Sequence, residues 1–137
     1  MDDEDLEMLV AAAKALPALK MTLAPENATV EQVRLLTAAG VVISLGHSDA
    51  DFDTCMAYAA AGATCVTHLF NAMSQLGNRE PGLVGAALAS GVLNAGLIAD
   101  GIHVHRQAIR TAWAAKSGPA RIFLVSDSMA PAGTELS

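Results

Sequence analysis

Glu26, His47 and His68 each follow a short apolar run, and they succeed one another at intervals of 21 residues. Each interval holds one helix-like and one strand-like segment. Thr29 caps a helical stretch through Ala39 that Gly40 closes, Val41–Leu45 is a β-branched apolar run, Asp51–Ala61 is helical with Gly62 as its stop, and Thr64–Thr67 is the next strand. After a longer loop the pattern resumes at Asp100–His103 and again at Asp127. Strand and helix alternating in this way constrain the chain to an α/β fold with a parallel sheet, because parallel strands connect through crossover helices. A leucine-rich repeat has a similar period, but its L-x-x-L-x-L signature is absent.

Five strands are expected: Leu19–Leu23, Val41–Leu45, Thr64–Thr67, Gly96–Ala99 and Ile122–Ser126. A first helix spans Asp2–Ala15, with acidic residues crowding its first turn and Pro17 ending it. The sequence begins inside this helix and stops ten residues after Asp127, whereas a whole (β/α)₈ barrel takes about 250 residues. Residues 1–137 therefore read as one piece of a barrel domain. An open five-stranded domain complete in itself is the alternative.

Hydrophobic residues make up 53% of the chain and charged residues only 16%, with a mean hydropathy of +0.39, so much of it must be buried. The formal charge of −6 comes with no Lys/Arg stripe, which excludes the electrostatic footprint of a nucleic-acid binder. It does not exclude a small anion, since one Arg and a few backbone N–H groups suffice for a phosphate. Cys55 and Cys65 lack ligand spacing and read as core thiols of a reducing compartment. The acidic start is unlike a secretory leader, so a cytoplasmic location is expected. From Gly82 to Ala99 only Ser90 and Asn94 are polar, nearly the length of a membrane span. Gly91 breaks that run into a helix and a short strand, and no membrane association is expected.

The polar residues fall just after the strands, the end at which parallel α/β sheets build their sites. His47 and His68 occupy matching ends of consecutive strands, where two neutral imidazoles can share a divalent metal, zinc first, with iron, manganese and cobalt as alternatives. Asp127 ends the last strand as a general base or a turn cap. His103 could polarise or orient a substrate, and His105 reads as a surface residue. Asp100 could serve a substrate or simply bind backbone N–H groups in its turn. The Asn71–Gly82 loop is long for a strand-to-helix connection, and its Arg79, with N–H groups near Asn71 and Ala72, suits a phosphate. A surface ion pair is the plainer reading of Arg79.

Six segments in order carry a resemblance that covers Lys20 to Gly133: Leu23-Ala24-Pro25-Glu26, Gly46-His47-Ser48, Thr67-His68-Leu69-Phe70-Asn71-Ala72-Met73, Arg79-Glu80-Pro81-Gly82, Ala99-Asp100-Gly101-Ile102-His103-Val104, and Ser126-Asp127-Ser128-Met129-Ala130-Pro131-Ala132-Gly133. With these the sequence resembles the N-acetylglucosamine-6-phosphate deacetylases of the amidohydrolase superfamily. The resemblance implies strands four to eight of a TIM-type barrel, with the N-terminal strands and a small β domain outside this sequence. It implies a metal on His47 and His68, and Asp127 as proton donor and acceptor. Asn71, Ala72, Arg79, Asp100, Gly101, Ile102 and His103 become contacts to a phosphorylated amino sugar.

The same resemblance implies hydrolysis to glucosamine 6-phosphate and acetate in amino-sugar catabolism, and a homodimer of the full-length enzyme in which Arg79 reaches a neighbouring subunit's substrate. One departure matters. The family's metal-binding glutamate sits in a His-Leu-Glu-Gly-Pro type segment that is not found here, and Glu26 stands instead at the structural LAPE position. Two alternatives stay open: another hydrolase of the superfamily, sharing His47, His68 and Asp127, and an inactive incomplete fragment lacking the Glu ligand.

Overall fold

In a computed structural model, which describes residues 1–129 and 133, five parallel strands alternate with helices. The order is α1 (Asp3–Ala15), β1 (Leu19–Leu23), a 3-10 turn (Pro25–Asn27), α2 (Val30–Ala38), β2 (Val41–Leu45), α3 (Phe52–Ala60), β3 (Cys65–Val66), α4 (Gly82–Ala89), β4 (Asn94–Ile98), α5 (Arg106–Ala115) and β5 (Ile122–Val125).

Helix starts follow local chemistry. Asp2 forms a capping box with Asp5 ahead of α1, Thr29 forms one with Gln32 ahead of α2, and the Asp51 carboxylate accepts from the Thr54 N–H ahead of α3. The sequence-expected helices are therefore trimmed to Asp3–Ala15, Val30–Ala38 and Phe52–Ala60, because the capping residues stand outside the helical backbone. Strand limits shift more. β3 is only Cys65–Val66 rather than Thr64–Thr67, although the Thr67 N–H still reaches the Leu45 carbonyl at 2.8 Å. β4 runs Asn94–Ile98 rather than Gly96–Ala99, since Asn94 and Ala95 already pair with β3, and β5 closes at Val125. The apolar stretch after Gly82 divides into α4 and β4, as Gly91 foretells. No helix among the described residues is long and apolar enough to cross a membrane.

The strands lie in sequence order, β1-β2-β3-β4-β5, every pair parallel. A doubly wound sheet reverses its order at a switch point, and this one never does. Consecutive helices pack against each other, from α1 on α2 to α4 on α5. The sheet also curls: the Lys20 ammonium on β1 lies 5.2 Å from the centre of the Phe123 ring on β5, across the concave face. Order and curl together are those of part of a TIM-type barrel.

Alternation along the strands separates two environments. Val41, Ile43 and Leu45 of β2 and Ala95 and Leu97 of β4 are buried toward the helices, where they meet Val33, Leu36, Cys55, Leu83 and Val84. The concave face is partly polar, and there the Thr67 hydroxyl bonds both the Thr22 hydroxyl at 2.8 Å and the Ser44 hydroxyl at 2.7 Å. α4 is apolar on all sides and buried from Gly82 to Leu88, as a helix enclosed by its neighbours must be.

Candidate active site

The carboxyl ends of β2 and β3 bring two imidazoles together. Nε2 of His47 and Nε2 of His68 lie 2.9 Å apart, with the rings edge to face at 4.7 Å between centres. His68 is buried beneath and His47 is exposed. Without a shared ligand, one Nε2 must carry a proton that the other accepts. With one, two metal–nitrogen bonds of about 2.0–2.1 Å at a tetrahedral angle set the nitrogens ~3.3 Å apart, so a few tenths of an ångström separate the observed pair from a chelating pair. The donors fit a divalent metal in kind and nearly in distance. Two features of a finished centre are not found among the described residues. No third His, Cys, Asp or Glu joins the pair among them, and the buried Nδ1 of His68 has no hydrogen-bond partner, although a ligating imidazole usually donates its second N–H.

Backbone strain marks the same end of the sheet. His47, His68 and Asp127, each just past a strand, hold φ values of +50°, +30° and +52°. The left-handed region disfavours side-chain-bearing residues, and such strain clusters where geometry serves a site. Phe70 at +79° and Ala72 at +46° continue it into the loop after β3. Asp127 and His68 line one cavity of about 200 Å³ inside the curl, floored by Thr22, Thr67 and Phe123. A larger cleft of about 590 Å³ runs along the free edge of β1 beside α1 and reaches His47 at one end. Its walls are mainly apolar side chains of α1 and β1, whereas the smaller cavity joins His68 to Asp127.

The loop after β3 is stitched in place. Ser48 N–H donates to the Ala72 carbonyl and Ser74 N–H to the Ser48 carbonyl, a parallel bridge at residues 48 and 73. The Ser74 hydroxyl donates to the Ala50 carbonyl and accepts from Leu83 N–H. The Asn71 amide reaches back to the carbonyls of His68 and Leu69, bracing the turn. Glu80 accepts from the N–H groups of Phe52 and Gly82. Arg79 is exposed and forms no ion pair among the described residues, so the surface salt bridge is not found.

Glu26 has the structural place expected of it. Its carboxylate accepts from the Ser48 hydroxyl and the Asp49 N–H, tying the turn after β1 to the one after β2. His105 is exposed and caps α5 by accepting from Gln107 N–H. Past β4, the Asp100 carboxylate binds Ile102 N–H, His103 N–H and the His103 ring. Those bonds, the His103 ring foremost, depress Asp100 to about 2. Burial, with the Asp51, Glu26 and Glu80 charges, pushes the Cys55 thiol up to about 11, so it stays an inert core group. Sequence reasoning passed over Ser48, Ser74, Glu80 and the Thr22–Thr67–Ser44 hydroxyls. Ser48, Thr67 and Glu80 did stand in the segments that carry the resemblance, while Ser74, Thr22 and Ser44 had no signal.

An N-acetylgalactosamine-6-phosphate deacetylase of Shewanella is 50% identical to 84% of this chain, and the N-acetylglucosamine-6-phosphate deacetylase of Bacillus subtilis is 45% identical over 82%. The crystal structure of the N-acetylglucosamine-6-phosphate deacetylase from Pasteurella multocida superposes on the whole chain with a TM-score of 0.89 at 34% identity. The chain belongs to the N-acetylglucosamine-6-phosphate deacetylase family. It spans just under a third of its curated relatives, 29% of the Shewanella protein and 28% of the Bacillus one, and 35% of the Pasteurella chain. A Mycobacterium smegmatis family member, an aspartate-to-alanine variant solved with N-acetyl-D-glucosamine-6-phosphate, matches 98% of the chain and 35% of its own with a TM-score of 0.88 at 33% identity. No family model matches the sequence.

Proposed function

We propose that this chain carries part of the active site of a metal-dependent deacetylase acting on a hexosamine 6-phosphate, N-acetylglucosamine 6-phosphate in the first instance. The observation that carries the reading is the convergence of the His47 and His68 Nε2 atoms at the carboxyl ends of adjacent barrel strands. These two would hold the metal, with a further ligand from a preceding barrel strand of the parent enzyme. When bound, such an ion supplies Lewis acidity to an amide carbonyl and acidifies water. Zinc suits two imidazoles best, with iron, manganese and cobalt as alternatives.

Asp127, at the mouth of the cavity it shares with His68, takes up a proton and returns it to the departing amine nitrogen, which leaves as glucosamine 6-phosphate with acetate as the second product. Arg79, with no ion pair among the described residues to give up, offers its planar fork to the phosphate of a neighbouring subunit's substrate in a homodimer of the parent enzyme. The turn after His68, closed by the Asn71 N–H on the His68 carbonyl, presents the Ala72 N–H and the Asn71 side chain to the phosphorylated sugar, and the turn from Asp100 through Gly101 and Ile102 to His103 borders it from β4. Barrel strands one to three and a small β domain complete the parent. A cytoplasmic setting in amino-sugar catabolism follows from that substrate.

The 50% identity to an N-acetylgalactosamine-6-phosphate deacetylase supports a second reading, in which the sugar is the 4-epimer. A chimera tests both. This chain replaces the matching segment of the Bacillus subtilis enzyme, and acetate release is measured from the two phosphorylated sugars. Turnover of either, retained on transfer and lost in Asp127→Asn, is the expected result, and the better substrate names the epimer. A folded, metal-loaded chimera that releases acetate from neither sinks the reading.

A further inference from the structure

The geometry points to Asp100 as a positioning residue that holds the His103 imidazole in its Nδ1–H tautomer, so that the neutral ring presents Nε2 as a hydrogen-bond acceptor to a hydroxyl of the bound sugar. His103 Nδ1 lies 2.6 Å from one Asp100 carboxylate oxygen, while the other oxygen accepts from Ile102 N–H at 2.8 Å and His103 N–H at 2.9 Å. An ionised carboxylate can only accept, so the proton of that ring contact belongs to Nδ1. The low pKa of Asp100, about 2, keeps it ionised at neutral pH. Free neutral histidine prefers the opposite tautomer, so the carboxylate sets the polarity of the ring.

Nε2 makes no hydrogen bond among the described residues, and the ring is largely exposed, 61% against 35% for the Asp100 side chain. His103 follows β4, the strand between β3, which His68 follows, and β5, which Asp127 follows. A neutral ring in this tautomer cannot donate to a carbonyl from Nε2. The ring in that state orients a substrate by accepting a hydrogen bond from a hydroxyl. The carboxylate and imidazole form an orienting pair of the kind that fixes a tautomer in many enzymes. The identity of the hydroxyl donor rests on the deacetylase reading, but the tautomer does not.

Asparagine separates this role from a structural one. In Asp100→Asn the amide oxygen still accepts from Ile102 and His103 N–H, so the turn survives, but the amide nitrogen now donates to Nδ1 and drives the ring to Nε2–H. Imidazole nitrogen NMR of the 137-residue chain at about pH 8, above the ordinary histidine range, reads the outcome. The expected wild-type signature is a protonated Nδ1 with a bare Nε2 at His103, inverted in Asp100→Asn. An Nε2–H tautomer in the wild-type chain, or the same tautomer in both chains, overturns the proposal.

Addition of N-acetylglucosamine 6-phosphate forms the second arm. A shift of the His103 Nε2 resonance alongside the Ala72 amide supports the acceptor role. Response of the Ala72 amide with Nε2 unmoved overturns that role. If no resonance responds, sugar binding by this chain is refuted while the tautomer measurement still decides the Asp100–His103 pairing.

Discussion

Single residues carry the most exposed predictions. His47 and His68 converge through two strained turns, so either one changed to Ala removes one of the two donors that the described residues bring together. Elemental analysis after dialysis against limiting zinc is expected to show retention falling at least tenfold in His68→Ala, with circular dichroism unchanged. Equal retention by wild type and variant would remove the pair from any metal site. Gly82 is a second sharp case. Its φ is +60°, and a Cβ there would stand 2.8 Å from the Ser74 carbonyl oxygen. Gly82→Ala is expected to cost about 1–3 kcal/mol in urea unfolding, from left-handed strain and a contact that backbone must yield to. Asp100 gives the pH dependence. Its folded pKa lies below the unfolded value of 3.8, so its contribution is present above that value and is lost as pH falls toward about 2. Amide exchange at Ile102 and His103 is expected to quicken through that window, and exchange flat in pH after correction for intrinsic rates would contradict it.

At the level of elements, local chemistry and long-range chemistry separate cleanly. Thr29 and Gln32 cap α2 reciprocally, and Thr29→Ala is expected to cost about 1 kcal/mol, measured by thermal unfolding. That cap was legible in the sequence because partners three residues apart announce themselves. β2, Val41–Leu45, was legible to the residue for a similar reason, a continuous β-branched run bounded by Gly40 and Gly46. β3 was overestimated because its neighbours decide it: only Cys65 and Val66 meet partners on both sides, and Thr67 turns its hydroxyl to Thr22 and Ser44. The clamp of Glu80 on Phe52 and Gly82 spans up to 28 residues, and no local pattern marks such a bond.

Across the whole molecule, the two outer strands set the behaviour of the chain. β1 pairs only with β2, and β5 only with β4, among the described residues, leaving backbone donors and acceptors on both rims. Met8, Val42 and Leu124 are exposed nearby, Leu124 at 64%. Free parallel edges with apolar flanks template further pairing. Light scattering of the 137-residue chain is expected to show a mass that grows with concentration in the micromolar range, and a strict monomer would count against it.

The sequence alone determined the strand–helix alternation, the placing of its polar residues at strand ends, and the family, because periodicity, caps and short segments are local properties of the chain. Tertiary structure decided three things. The sequential strand order and the curl that sets Lys20 over Phe123 distinguish a barrel segment from an open sheet. The approach of His47 to His68 follows from the register that pairs Leu45 with Val66. The structural place of Glu26 follows from a partner that only folding brings within reach, a hydroxyl 22 residues away. The physical reason is range. Torsional preference and hydrophobic period act over a few residues, whereas a site is made where crossovers deliver distant side chains to one end of a sheet.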